Sequence, residues 1–255
     1  MTTSTYLHSS NNPRVAIPNG VGTEPEISEE FRLDRLEPIQ IGASGGIAKF
    51  TDRKFGDARA WLMEQEPNSS KILWVKQVHG SQIVLANAST RSGEAGDALV
   101  TADRVRIGVM VADCLPIALS SHEGVVAAVH CGWRGLVAGV IPKTLQVMQS
   151  LGCVDVEAAV GACIGPECYE FGEVELRMVE ATLRNSGEVR SLTSNGVLSL
   201  DLKAAALAQL HFLGVSIAWN DIRCTACSGE FFSARMNGDS GRQSLIVCHT
   251  SPLFG

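Results

Sequence analysis

Two histidines and a cysteine punctuate a series of apolar segments. KILWVKQVHG carries His79, VRIGVMVADCLPI carries Cys114, and GVVAAVHCGWRG carries His130. Apolar runs rich in Val and Ile and bounded by Gly or Pro read as buried strands. A strand that ends in a soft ligand delivers that side chain beyond the sheet edge. Imidazole, thiolate and imidazole form the donor set of an open zinc site, with three protein ligands and one position left for water or substrate. Each residue also has a plainer use, since a buried Cys packs as a small hydrophobe and a lone His is commonly a hydrogen-bonded structural residue. The local context favours chemistry. Asp113-Cys114 interrupts an apolar run, and His130 precedes Cys-Gly-Trp-Arg-Gly, where two glycines frame Trp133 and Arg134. The expectation is one zinc per chain on His79, Cys114 and His130, with copper as the alternative ion.

The elements that must position this trio read as strands first and helices later. Strands are expected at 39–49 (interrupted at Gly45-Gly46), 72–79, 82–87, 97–101, 105–113, 116–121 and 124–130, separated by Gly, Pro, Asn and Ser. A short helix is expected from Asp57 to Glu66. Beyond GWRG, apolar residues at Val137, Val140, Ile141, Leu145, Val147, Met148 and Leu151 give a helical period over 137–151. VEAAVGACIG returns to a strand, Glu173–Leu183 reads as a helix, and a further helix starts at Asp201, a residue suited to the N-cap. RQSLIVCH closes as a strand. This order lacks regular βα alternation, so it predicts α+β rather than a doubly wound sheet.

The chain has 255 residues, 45% hydrophobic and 19% charged, with a net charge of −6. That is enough for one large domain. The negative balance argues against nucleic acid as a partner, and no apolar run reaches the length of a membrane span. Residues 1–37 are polar, with an acidic patch at Glu24, Glu26, Glu29 and Glu30, and are expected to form a loosely ordered arm before a single catalytic domain over 38–255. The N-terminus lacks the basic region and apolar core of a secretory signal. The expected compartment is the cytoplasm, where the eight cysteines stay thiols.

Other motifs are weaker. Cys224-Thr-Ala-Cys227 fits a redox pair, half of a structural zinc site or plain buried thiols, and Cys163 and Cys168 form the only other close pair. Arg235 and Arg242 lie near a predicted turn, either as a solvated loop or as anchors for an anionic or purine-bearing ligand. GxGxxG and GxxxxGK[ST] are absent, so neither a dinucleotide fold nor a P-loop is supported.

Taken together, KQVHG, DALVT, ADCLPI, AVHCGWRGL, GACIGPECYE and FFSARMNGDSGR resemble the YfiH family, also known as laccase-domain, polyphenol-oxidase-type or peptidoglycan-editing-factor proteins. The resemblance runs from about Trp74 to Val247. It implies two mixed β-sheets packed together and sandwiched between helices, and metal ligands at His79, Cys114 and His130. It also implies a purine nucleoside enzyme that phosphorolyses adenosine, inosine, guanosine or methylthioadenosine and deaminates adenosine. The small-molecule partners are then nucleoside and phosphate, met by Gln77, Arg134, Arg235 and Arg242. Asp113 becomes a candidate acid–base group and Arg134 a candidate phosphate partner.

The chain departs from the family pattern at Ala43, where the family has Arg, and at Ala234 and Met236, where it has Tyr and Arg. Cys131 replaces an Ala beside His130; neighbouring strand residues face opposite ways, so Cys131 is not expected to be a fourth ligand. Rival readings use the same residues. In a metal-free Cys–His hydrolase, Cys114 would be the nucleophile and His130 its base. Editing of a peptidoglycan precursor, phenol oxidation of the laccase type, and nucleoside binding without turnover are the others. Six histidines in the whole chain suit a multicopper oxidase poorly.

Overall fold

The structure is a computed structural model that describes residues 36–41, 45–63, 72–183 and 189–249. Of the expected N-terminal arm only Leu36 and Glu37 fall within these, and Ala43 lies outside them. The strands are β1 (Ile39–Ile41), β2 (Gly46–Phe50), β3 (Ile72–Trp74), β4 (Ile83–Leu85), β5 (Ala98–Thr101), β6 (Arg106–Val111), β7 (Leu115–Ser121), β8 (Val126–Cys131), β9 (Val156–Val160), β10 (Arg190–Leu192), β11 (Leu198–Leu200), β12 (Ser216–Asn220) and β13 (Gln243–His249). The helices are α1 (Ala58–Met63), α2 (Trp133–Val137), α3 (Val140–Ser150), α4 (Glu173–Glu180), α5 (Leu202–Phe212) and α6 (Ala234–Asn237).

Two mixed sheets carry the fold. One has five strands in the order β1-β2-β13-β6-β3, the other six in the order β12-β9-β7-β8-β5-β4. Pairing is antiparallel except for β3 with β6, β4 with β5 and β12 with β9. Ile107, Val109, Leu245 and Val247 of the first sheet pack against Leu99, Ala118, Ala128 and Ala159 of the second, all buried. Small residues on the six-stranded side let the sheets approach closely. On that sheet's other face, Ile117, Leu119, Val129 and Val160 meet helical residues Leu136, Ile141, Leu145, Met148, Leu176 and Leu210. Every residue of β7 and β8 is buried, as their unbroken apolar runs require. This is the expected α+β architecture of two mixed sheets with helices.

Several boundaries differ from the sequence expectation. The run ending at His79 is a strand only to Trp74; Val78, His79 and Gly80 turn their N–H groups toward Asp97 instead of a ladder partner. The expected 105–113 strand stops at Val111 because Asp113 takes φ +89°. The helix expected over 137–151 starts only at Val140, after Gly139 at φ +81°, and a separate short helix, α2, covers Trp133–Val137. β12 escaped the pattern altogether: its residues alternate between exposed and half-buried, and tertiary pairing with β9 makes it a strand. Asp201 does cap α5, accepting from Ala204 N at 2.8 Å.

Gly108 sits mid-strand in β6, opposite Trp74 on one side and Ile246 on the other. A Cβ there would lie 2.7 Å from the Trp74 ring and 2.9 Å from the Leu245 carbonyl. Gly108→Ala is therefore expected to destabilise the fold by about 1–3 kcal/mol, the usual cost of overpacking. Urea unfolding checks this; an unchanged midpoint would mean that the Trp74 ring moves aside freely.

Candidate metal centre

β6 belongs to the five-stranded sheet and β7 to the six-stranded one. The chain crosses between them through Ala112, Asp113 and Cys114. At this crossing Cys114 meets His130 from β8 and His79 from the loop before β4. One donor atom from each of the three lies within 4.8 Å of the others. The imidazoles meet edge to face with centroids 4.9 Å apart. His130 is buried while His79 is open to solvent. His130 thus lies within a strand and Cys114 and His79 in connections, which refines the expectation of three strand ends.

Asp97 orders two of the three donors. It is wholly buried, and one carboxylate oxygen lies 2.8 Å from His130 Nδ1. The same oxygen accepts His79 N–H at 2.9 Å, and the other accepts Gly80 N–H at 2.7 Å. Nδ1 of His130 is therefore committed, leaving Nε2 for a metal, the usual carboxylate–histidine support of a bound ion. His79 is held at φ +58°, a left-handed conformation uncommon for a residue with a side chain. Two glycines permit the close approach. A Cβ on Gly132 would stand 3.0 Å from Cys114 Sγ, and one on Gly135 would stand 2.9 Å from the Gly80 carbonyl.

Electrostatics match a ligand set. Burial by itself raises the Cys114 thiol, but hydrogen bonds with His130 and His79 outweigh it and hold it at about 6. Burial lowers His130, yet its bonds to Asp97 and Cys114 raise it to about 9. Without metal, the site favours a thiolate beside an imidazolium. Thiolate and neutral imidazoles suit a tetrahedral divalent ion, and the donors present fit one. Cys131 is wholly buried in the core below and burial pushes its thiol up, so it stands apart from the trio as the strand alternation predicts.

The remaining sequence candidates sort differently. Asp113 accepts the Thr225 hydroxyl at 2.7 Å on one oxygen and Arg235 N–H at 2.8 Å on the other. These bonds make it a positioning residue, in place of the acid–base role expected from sequence. Gln77 is also a tie, exchanging both its amide groups with the Met110 backbone at 2.7 and 2.8 Å. Arg242 caps its own loop through the carbonyls of Asp239, Ser240 and Gly241, so neither Gln77 nor Arg242 is placed as a ligand contact. Arg134 and Arg235 differ. Arg134 lies 4.4 Å over Trp133, Trp133 meets Phe171 at 5.4 Å, Phe171 meets Tyr169 at 5.2 Å, and Arg235 lies 5.1 Å over Tyr169. This arginine-capped aromatic row starts next to Gly132 and ends at the residue whose N–H holds Asp113. Tyr169 and Phe171 were missed by sequence reasoning, because GACIGPECYEF gives no sign that its two aromatics line up with Trp133. Asp97 was visible only as the polar start of DALVT.

Two predictions follow from this geometry. Asp97→Asn removes the charge that orients His130, so zinc affinity is expected to fall about 10–100-fold; competition with a chromophoric chelator measures it, and unchanged affinity would show that Asp97 does not orient the ligand. In metal-free protein, the depressed Cys114 value means thiolate at pH 7. Alkylation of Cys114 by iodoacetamide should stay fast from pH 8 to 7 and fall as pH drops through about 6. Loss of reactivity already on passing below the ordinary thiol value of 9.0 would contradict the imidazole–thiolate contact.

Comparison with known proteins agrees with this architecture. A family model described as multi-copper polyphenol oxidoreductase laccase matches residues 53–250. Purine nucleoside phosphorylase Cgl2154/cg2365 of Corynebacterium glutamicum is 37% identical over 184 residues, covering 69% of this chain and 74% of the relative. Purine nucleoside phosphorylase YfiH of Shigella flexneri is 30% identical over 181 residues, covering 70% and 74%. The crystal structure of YlmD from Geobacillus stearothermophilus superposes with a TM-score of 0.68 at 26% identity, covering 82% of this chain and 93% of that one. Among the described residues, no helix is long and apolar enough to cross a membrane.

Proposed function

Because this chain belongs to the laccase-like family that includes proteins named purine nucleoside phosphorylase, we propose that it is a zinc-dependent purine nucleoside phosphorylase. The observation that carries this reading is the arginine-capped aromatic row beside His79, Cys114 and His130. Aromatic faces offer stacking area to a purine, and guanidinium groups offer fork donors to phosphate. The zinc, held by the trio, would supply positive charge that binds and orients the anionic phosphate.

The chain's own residues bind and orient. Half-buried Trp133 offers the stacking face, backed by the buried Phe171 and Tyr169 in edge-to-face contact, and the exposed Arg134 and Arg235 hold phosphate near it. Phosphate oxygen bonds to the sugar C1′ while the C1′–N9 bond breaks. The purine leaves with that electron pair and takes up a proton from solvent. Burial pushes the Tyr169 phenol up, so it stays a neutral donor at working pH and adds no negative charge against phosphate. Adenosine deamination is a second activity proposed for the same centre: water adds to C6 of the purine instead of phosphate to C1′, and the amino group leaves as ammonia. The oxidase name finds less support: among the described residues His79 and His130 are the only histidines in a group that could hold a metal.

A metal-free Cys–His hydrolase is the second reading, favoured by the Cys114 thiolate beside His130. Assays of zinc-loaded and chelator-treated protein with adenosine and inosine, with and without phosphate, separate the two. We expect phosphate-dependent release of free base and ribose 1-phosphate that disappears with the metal and in Cys114→Ala. Arg134→Ala and Arg235→Ala should each raise the KM for phosphate about tenfold or more, the loss of a hydrogen bond to a charged group. If zinc is stoichiometric and neither base release nor deamination occurs, the nucleoside reading fails. Base release that survives zinc removal and needs no phosphate would favour the hydrolase.

A further inference from the structure

A second soft-donor cluster lies outside the trio. Glu167, Cys168, Cys224 and Cys227 each bring one ligand atom within 4.8 Å of the others. The sequence separates them into two short motifs, GPEC and CTAC. The fold joins these through a bridge pairing Cys163 with Cys224 and a bond from Thr225 N to the Cys163 carbonyl at 3.0 Å. A four-Cys site would need both Cys163 and Cys168 to meet CTAC. Cys163 turns into the core, and Cys168 joins the cluster.

Two backbone N–H groups point at one of these sulfurs. Cys224 Sγ accepts Gly165 N–H at 3.1 Å and Ala226 N–H at 3.4 Å. The second bond, from the residue two positions on in a CxxC turn, offsets negative charge on a sulfur. Glu167 folds back instead of extending into water. A Cβ on Gly165 would lie 2.3 Å from its carboxylate, so only glycine leaves room for it there. From that position Glu167 Oε1 accepts the Cys227 thiol at 3.4 Å. Four donors around a zinc with bonds near 2.3 Å stand about 3.8 Å apart, so the group needs only small side-chain adjustments to close on an ion.

We propose that the chain binds a second zinc ion through Cys168, Cys224, Cys227 and Glu167. Four protein ligands close the coordination shell, which marks a structural rather than a catalytic ion. The ion would pin the turn carrying Tyr169 to the turn carrying Thr225, whose hydroxyl holds Asp113 beside Cys114. Cys227 and Glu167 sit on the solvent side, so the ion has a route of entry.

Metal content of the full chain, purified reduced with zinc and dialysed against metal-free buffer, tests this without reference to activity. Two zinc per chain are expected in the wild type, one in Cys114→Ala, one in Cys168→Ser/Cys227→Ser, and none in the triple variant. Cobalt loaded into Cys114→Ala should show the near-ultraviolet sulfur-to-cobalt band of a tetrahedral thiolate site, and Glu167→Gln should weaken retention. Cys227 is exposed, so Cys227→Ser alone, checked by circular dichroism, keeps the test valid if the double variant misfolds; it should lose the second zinc. The proposal is overturned if reduced Cys114→Ala takes up no metal, or if Cys227→Ser retains two zinc. It is equally overturned if these thiols form a disulfide whose reduction restores no zinc binding.

Discussion

The site depends on one buried carboxylate. Asp97 has no exposure to water, and a buried charge persists only when paired and hydrogen-bonded. It meets that demand by gathering the N–H groups of His79 and Gly80 together with the His130 imidazole. Its own backbone donates to the Gln82 carbonyl and accepts from His130 N. The loop before β4 is thereby fastened to β5 and β8, and the two imidazoles arrive at one place. Losing the carboxylate would orphan several donors at once, so the loop conformation and the ligand geometry stand or fall together.

The third donor is placed by a crossing between sheets. A chain that leaves one sheet and enters the next must turn within a few residues, and here it does so at Asp113, at φ +89°. That conformation is strained for a residue with a side chain. It is held by the Thr225 hydroxyl and the Arg235 N–H, both from the segment between β12 and β13. The aromatic row grows from the same region, because Arg235 lies over Tyr169. The Cys114 crossing and the aromatic row therefore share supports.

Environment divides the cysteines into separate roles. Cys131 and Cys163 lie in the apolar core, where burial pushes their thiols up, Cys163 to about 12. They act as small hydrophobes. Cys114 is also largely shielded, but two imidazoles reverse the balance and hold it at about 6. Residue type alone could not separate these cases, since a thiol's chemistry is set by the charges and donors within a few ångströms.

The α+β class, the strand-rich first half, the cap at Asp201 and the grouping of His79, Cys114 and His130 were all legible in the sequence. Each rests on local pattern: unbroken apolar runs for β7 and β8, a helical period for α3, and polar residues set where a buried run should continue. Tertiary structure alone decided the rest. β12 is a strand because β9 lies beside it, since its own alternation is weak. Asp97 matters because His130 and the His79 loop converge on it, and Asp113 is a strut because Thr225 and Arg235 reach it from more than a hundred residues away. Gln77 and Arg242, polar residues in recognisable motifs, were drawn into backbone bonds. Local pattern reports which face of an element is buried; which distant groups meet there is set by packing the two sheets together, and a polar side chain takes its role from the partner that packing provides.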